Sequence, residues 1–296
     1  MTAQALSEVA TVRRMSRTGS LLRAVRRYPL GAFGLIVLTV LLAVAAAAPL
    51  VATHDPLATD RVARLVGPSA QHLMGTDQLG RDVFSRLVYA ARPAVIIGFG
   101  AMLVGLGLGG AVGLLSGYIG GIFDLLVQRV TDAMMALPNL VVAIAIVAVL
   151  GGGQTRVLLA IGLSISPLVT RVVRASTLPV KQNDYVEAAM VLGASHFRLL
   201  IRHIVPNIMA PIIVIASVEL STAILAEASL SFLGFGVPAP DPSWGSMLSG
   251  DGRRFMQQAP WLVIFPGVAV SLAVLGINLL GDAVRDAFDP RLRGSR

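Results

Sequence analysis

Two glutamates inside apolar stretches, four histidines and a row of evenly spaced glycines are the residues of this chain whose chemistry stands out. Glu219 and Glu227 are eight positions apart, roughly 80° around a helix from each other. If that helix crosses a membrane, such groups face a bundle interior or an aqueous cavity, because an ionisable side chain is costly in lipid. With Ser217, they are candidates to line a polar solute path. The plainer reading puts Glu227 at a helix end near the outer surface and has Glu219 hydrogen-bond a neighbouring helix. A proton relay would need a second set of intramembrane acids, and Asp132 and Asp282 lie near span ends. His54, His72, His196 and His203 show no ligand spacing such as HExxH and do not share one side of the expected membrane, so no metal site is expected. The absence of cysteine excludes thiolate sites and thiol catalysis. Ser164, Ser166 and Ser217 have no histidine within any apolar stretch to activate them, which disfavours an intramembrane enzyme. Gly105, Gly107 and Gly110 match GxGxxG, but that loop needs a preceding strand and a soluble crevice.

The elements that must position these residues follow from composition. Of 296 residues, 55% are hydrophobic and 14% charged. A soluble domain carries about 25% charged residues. No charge occurs between Arg27 and Asp55, Arg92 and Asp124, Asp132 and Arg156, or Arg254 and Asp282, and each gap holds at least 23 residues. About 20 apolar residues span a bilayer as a helix. The chain therefore reads as an all-α polytopic membrane protein, and the net charge of +8 as a basic flanking pattern without nucleic-acid partners.

Six spans are expected: Leu30 to about Val51, one within Pro93–Tyr118, Leu125–Leu150, a short one around Val157–Thr170, about Ile208–Leu230 and about Trp261–Leu280. The first is too long for a cleaved signal. Gly105, Gly109, Gly113 and Gly117 recur every four residues on one helix face, a device for close helix approach in lipid. Arg171 and Arg174 would snorkel to complete the fourth span. Gly75–Arg92 reads as a surface helix before the second span, with Asp77, Arg81, Asp82 and Arg86 pairing; its functional alternative is a dock for an external protein. Pro238, Pro240 and Pro242 make Gly234–Ser249 an outer lid or hairpin, with Trp244 at headgroup level. Asp289-Pro290 ends the last helix. With both termini inside, fifteen basic residues lie on the inner side and eight on the outer, which favours cytoplasmic termini. The chain divides into a tail at 1–29, a first span at 30–52, an outer loop at 53–92, a core at 93–290 and a tail at 291–296.

The inner connection at 177–206 is the most informative segment. Pro179 stops the fourth helix, Asn183 or Asp184 caps a short helix over Tyr185–Leu192, Gly193 reverses the chain and Ser195 caps the next turn. Val186, Ala189 and Met190 share its apolar face. The product is a rigid helix–Gly–helix knob; an amphipathic segment on lipid headgroups is the alternative.

Glu187-Ala188-Ala189, then Gly193 and Pro206, resembles the coupling-loop signature of ATP-binding-cassette importer permeases, with Val205 where that signature usually has Leu. With Gly75–Arg92, Glu227–Leu248 and Pro260–Arg293, the chain is similar to C-type permeases of the dipeptide, oligopeptide and nickel importer family. The resemblance covers most of the chain beyond residue 70. It implies a type I importer-permease (MetI-like) fold and a coupling site at Asp184, Tyr185, Glu187, Ala188, Ala189, Gly193, Ala194 and Pro206. It also implies a homologous B-type permease, two ATPase subunits that carry ATP and magnesium, and an extracytoplasmic solute-binding protein. The resemblance further implies that the surrounding membrane lipid is that of a bacterial cytoplasmic membrane. No cofactor is expected on this chain, which lacks a GxxxxGK[ST] loop and is not expected to be an enzyme. Short peptides are the expected solute. A nickel or other metal chelate, haem, or a stand-alone secondary transporter or channel are the alternatives.

Overall fold

A computed structural model describes residues 28–288, all-helical with a single isolated β-bridge among the described residues. The arginine-rich tail at 1–27, Asp289-Pro290 and the tail at 291–296 lie outside them. Helix α1 (Pro29–Ala46) opens on a proline at its first turn, where a missing N–H costs nothing. Pro49 then starts a separate turn, α2 (Ala48–Val51), so the first expected span is two pieces broken at Ala47.

Helix α3 (Val83–Ile119) runs 37 residues straight through Pro93, longer at both ends than the expected second span. The expected helix over Gly75–Arg92 begins only at Val83. Gly75 and Gly80 have φ of +74° and +75°, and a Cβ at Gly80 would lie 1.8 Å from the Asp60 carbonyl. Thr76–Asp82 is instead a tight turn closed by a β-bridge. Asp77, Asp82 and the nearby Arg86 are buried and Arg81 is half-buried, so these charges do not lie on an open surface. Asp77 accepts from Arg81 Nε at 2.6 Å, with Arg86 3.7 Å away. Asp82 caps α3 by accepting from the Ser85 N–H at 2.8 Å. Burial pushes the Asp82 carboxyl up, but hydrogen bonds from Ser85 and His72 outweigh it and hold the group below its ordinary value.

The expected third span is not one helix. It is α4 (Gly121–Met135) and α5 (Asn139–Leu150), set at 91° across Pro138. The fourth expected span is far from short: α6 (Gln154–Lys181) has 28 residues and continues through Pro167 and Pro179. Arg174 makes a two-pronged bond to Asp124 at 2.5 and 2.5 Å, and Arg171 pairs with Asp132. These arginines are fastened to α4 and do not snorkel.

The four spaced glycines set the register. Cβ atoms at Gly105, Gly109, Gly113 and Gly117 would meet Ile165, the Ser166 carbonyl, the Thr170 carbonyl and Thr177 at 2.5, 2.4, 2.4 and 2.9 Å. Both numbers rise together, so α3 and α6 run parallel with their backbones in contact. A parallel pair requires the chain to travel back between them, so α4 and α5 together make the return. At 15 and 12 residues, their right-angled path spans about 29 Å, close to a hydrocarbon core. Five long apolar helices and this bent pair make the six passages.

After α6 come α7 (Asp184–Val191), the turn α8 (His196–Arg198), a π-helical turn (Leu199–Ile204) and α9 (Val205–Phe232). The chain then folds back through α10 (Trp244–Leu248) and α11 (Gly250–Arg254) into α12 (Trp261–Phe288). Trp244 is buried, not interfacial: its Nε1–H donates to the Leu87 carbonyl at 3.1 Å. Gly245 makes that entry possible, since a Cβ there would lie 2.0 Å from the Ala228 carbonyl. Gly31 and Gly34 seat α1 on Ala283 and Gly276 of α12, a second small-residue seam, this one antiparallel. Residues 28 and 288 thus emerge at the end of the bundle that carries α7, and the 52–82 connection caps the opposite end.

Candidate functional site

Helix α7 is fixed at both ends by backbone chemistry. Asn183, in extended conformation before it, turns its carboxamide back to the Val180 carbonyl at 3.3 Å and does not cap. Asp184 and Glu187 occupy the first turn, where the helix dipole favours negative charge. At the other end the Ala194 N–H bonds the Ala189 carbonyl and the Gly193 N–H the Met190 carbonyl, both at 3.0 Å. This is a Schellman closure, which needs a left-handed residue at Gly193, whose φ is +83°. Nothing lies within 4 Å of a Cβ at Gly193, so glycine is there for its backbone and not for space. Ser195 caps the next turn, accepting from the Arg198 N–H at 3.4 Å. The π-turn follows directly, and Pro206 opens α9. The wider turn lets the chain pass a residue that has no N–H to give.

The base of this knob is tied to the bundle at several points. Val186 is buried, as are Leu199 and Ile204 of the π-turn. Lys181 Nζ donates to the Tyr118 carbonyl at 2.6 Å and sits over the Tyr118 ring at 5.5 Å. Tyr118 Oη lies 2.6 Å from His196 Nδ1. Sequence reasoning missed these three residues. The one signal was that Lys181 is the sole lysine among 24 basic residues.

The tip faces the other way. Val191 is 83% exposed, Leu192 87% and Phe197 74%, with Tyr185 and Met190 about half as open. Of the expected apolar face only Val186 is buried; Ala189 is half-buried and Met190 exposed. Asp184, Glu187, Ala188, Gly193 and Pro206 are exposed and Ala194 half-buried. Exposed apolar side chains thus sit at the tip of a short helix whose first turn is acidic.

The path candidates do not gather in one place. Ser217 lines a cleft of about 300 Å³ with Asn278, Asp282 and Arg285, and the lining includes neither glutamate. Glu219 and Glu227 are buried within the chain. Ser231 Oγ donates to Glu227 Oε1 at 2.7 Å, and Oε2 of each glutamate has no partner. The histidines are divided between the two ends: His196 is held by Tyr118 and His203 lies near Tyr185 at the α7 end, while His54 and His72 meet at the opposite end.

Among known proteins, residues 109–294 match the model of a family described as binding-protein-dependent transport system inner membrane component. Residues 16–68 match the N-terminal TM domain of oligopeptide transport permease C. A dipeptide transport system permease protein of Alkalihalophilus pseudofirmus is 43% identical over 271 residues, covering 92% of this chain and 89% of that one. A probable D,D-dipeptide transport system permease protein of Escherichia coli is 38% identical over 268 residues, 90% of each. A glutathione transport system permease protein of Pectobacterium atrosepticum is 43% identical over 227 residues, 77% of this chain and 75% of that one. A chain of the MetNI methionine ABC transporter in an inward-facing conformation superposes with a TM-score of 0.57 at 15% identity, covering 68% of this chain and 95% of that one.

Proposed function

The chain belongs to the binding-protein-dependent transport inner-membrane components, and on that premise we propose that it moves short peptides into the cell, driven through the α7–α8 knob. It is a permease subunit of an ATP-binding-cassette importer. The peptide class rests on relatives named for dipeptides, D,D-dipeptides and glutathione. In this reading the α7 end faces the cytoplasm, which accords with the excess of basic residues there. A B-type permease completes the pathway, two cytosolic ATPase subunits supply ATP hydrolysis, and an extracytoplasmic binding protein delivers solute.

One observation carries the coupling role: Val191, Leu192 and Phe197 are exposed on a helix pair whose base is tied to the ends of α3 and α6. Seated in a groove of an ATPase subunit, the tip would lose its contact with water, and closure of the ATPases would displace it. Because α3 and α6 touch backbone to backbone, that displacement passes into the bundle with little bending. Two packed arrangements of the bundle, biased by contact at one end, are sufficient for alternating access. Ser217 lies in an open cleft beside Asp282 and Arg285 and is the path candidate already accessible. Glu219 is buried and would reach a path only if α9 shifted against its neighbours, while the buried Glu227, bonded to Ser231, fits the structural reading.

The test uses the reconstituted transporter with Glu187→Ala and Gly193→Val in this chain. Loss of ATPase binding and of solute-stimulated ATP turnover supports the coupling role, and retention of both refutes it. Uptake of a labelled dipeptide by the same proteoliposomes tests the solute class. Flux through the purified chain without ATPase subunits would establish a stand-alone carrier instead.

A further inference from the structure

At the end of the bundle opposite α7, the 52–82 connection gathers three groups that the transport role does not use. His54, His72 and Asp82 are 18 and 10 residues apart in sequence, and each offers a ligand atom within 4.8 Å of the others. His72 Nδ1 is 2.9 Å from Asp82 Oδ1, and His54 Nδ1 is 3.8 Å from the same oxygen. The two imidazole rings lie with centroids 4.8 Å apart, tilted by 31°. The first distance is a hydrogen bond. The second is too long for one, yet it brings a second ring nitrogen to an oxygen already served.

The rest of the carboxylate is held from behind. Asp82 Oδ2 accepts from the Ser85 N–H at 2.8 Å and from Ser85 Oγ at 2.7 Å, with Thr53 Oγ1 3.4 Å away. Oδ1 is thereby left pointing at the two histidines. Such outer contacts orient a ligating carboxylate in metal sites. The His54 N–H donates to Ser85 Oγ at 3.0 Å, which ties that backbone to the same support. Thr53 Oγ1 also lies 3.0 Å from His54 Nδ1 and 3.4 Å from both Ser85 Oγ and Asp82 Oδ2, so it has other partners when the ring turns.

We propose that His54, His72 and Asp82 form a binding site for a divalent first-row transition ion of the zinc type, clasping the 52–82 connection to the start of α3. Zinc bonds of about 2.0–2.1 Å in tetrahedral geometry put neighbouring ligand atoms about 3.3 Å apart. The two measured separations, 2.9 and 3.8 Å, lie on either side of that value. His54, with a side chain 42% exposed, has the room to close the remaining gap. Two imidazoles and one carboxylate suit zinc, copper or nickel and disfavour magnesium or calcium, which prefer oxygen alone. Three protein ligands leave a fourth position for water or an external group. No ligand spacing is visible in the sequence because the donors come from a loop and a helix cap that only the fold brings together.

The experiment uses the assembled transporter purified without a polyhistidine tag and titrated with zinc against a chromophoric chelator. The site predicts one equivalent per copy of this chain that is lost or weakened by more than about 100-fold in His54→Ala and in His72→Ala, since even a change outside the ligand shell costs about 10–100-fold. It also predicts a zinc-dependent rise in melting temperature that is absent in His54→Ala, and no such rise with magnesium. His54 is exposed and contributes little to the core, so its variant folds and keeps the comparison valid if His72→Ala does not. Equal zinc binding by the parent and His54→Ala, or no binding at micromolar zinc, would reduce the cluster to a hydrogen-bonded clasp and overturn the proposal. Neither outcome depends on peptide transport or on the coupling knob.

Discussion

Leu192→Ala separates the coupling role of the knob from any part it plays in folding. The side chain is 87% exposed in the isolated chain, so nearly all its surface is available to a partner. The substitution removes three carbons, each contributing about 0.8 kcal/mol when buried, or about 2 kcal/mol after scaling by the exposed fraction. That predicts about 30-fold weaker binding of the ATPase subunits. Because an exposed side chain does little for folding, the melting temperature of the permease pair should stay within a degree or two of the parent, as for most surface changes of about 0.5 kcal/mol or less. The assay is the affinity of the purified ATPase subunits for the permease pair in nanodiscs, measured beside the melting curve. An affinity within threefold of the parent, with folding intact, would refute the reasoning. The chain has no cysteine, so a single cysteine at position 192 gives a background-free crosslinking site. Crosslinks that reach only phospholipid would move the tip to the headgroup layer.

Gly113 and Gly110 should respond in opposite directions to alanine. A Cβ at Gly113 would sit 2.4 Å from the Thr170 carbonyl. Gly113→Ala should therefore cost about 1–3 kcal/mol. Gly110 has nothing within 4 Å, and Gly110→Ala should be neutral or stabilising by up to about 1 kcal/mol; paired melting curves decide. Trp244→Phe keeps one aromatic ring but removes the bond to Leu87 and part of a buried side chain, and a loss of about 1–3 kcal/mol in the same assay is expected. Tyr118→Phe cuts the link to His196 without touching the tip. ATPase affinity should hold while solute-stimulated ATP turnover falls, and an unchanged turnover would count against Tyr118 as a fastening.

The prolines show how much of this fold local sequence carries. The sequence reading bounds the second span at Pro93 and stops the fourth helix at Pro179, but α3 and α6 continue through both. Pro93 and Pro167 are buried, and packed neighbours hold the helix across one missing hydrogen bond. Pro138 is exposed and has no such support, and there the chain turns by 91°. Pro179 is exposed too, yet α6 passes it and ends two residues later at Lys181. Packing thus accompanies the unbroken helix at Pro93 and Pro167 without deciding the outcome at every proline, and a span map drawn from charge gaps contains neither result. Within the knob the opposite holds. Gly193, Ser195 and the acidic first turn act over a few residues, so their geometry was legible. Its fastenings were not, because Tyr118 is 63 residues from Lys181 and 78 from His196. The His54–His72–Asp82 cluster was hidden for the same reason, compounded by a loop whose course depends on the left-handed Gly75 and Gly80.

The α3–α6 seam and the fastening of the knob are consecutive in sequence, and this adjacency has a measurable consequence. Gly117, the last glycine of the seam, precedes Tyr118, which holds both Lys181 and His196. A Cβ at Gly117 would meet Thr177 Cβ at 2.9 Å and the Arg174 carbonyl at 3.1 Å. A Cβ at Gly105 would meet Ile165 at 2.5 Å and the Gly162 carbonyl at 3.1 Å. Both Gly117→Ala and Gly105→Ala should therefore lower stability by a similar amount, about 1–3 kcal/mol. They differ in where the helices are forced apart. At Gly105 the strain lies about 20 Å from Tyr118 along α3, and the knob keeps its base. At Gly117 the separation opens directly beneath that base, so the tip can still be held by the ATPases while its motion is no longer delivered to α3 and α6 together. Gly117→Ala should lower the solute moved per ATP hydrolysed, and Gly105→Ala should leave that ratio near the parent value. If the two variants change the ratio equally, the seam is a packing device along its whole length and the coupling motion enters the bundle elsewhere.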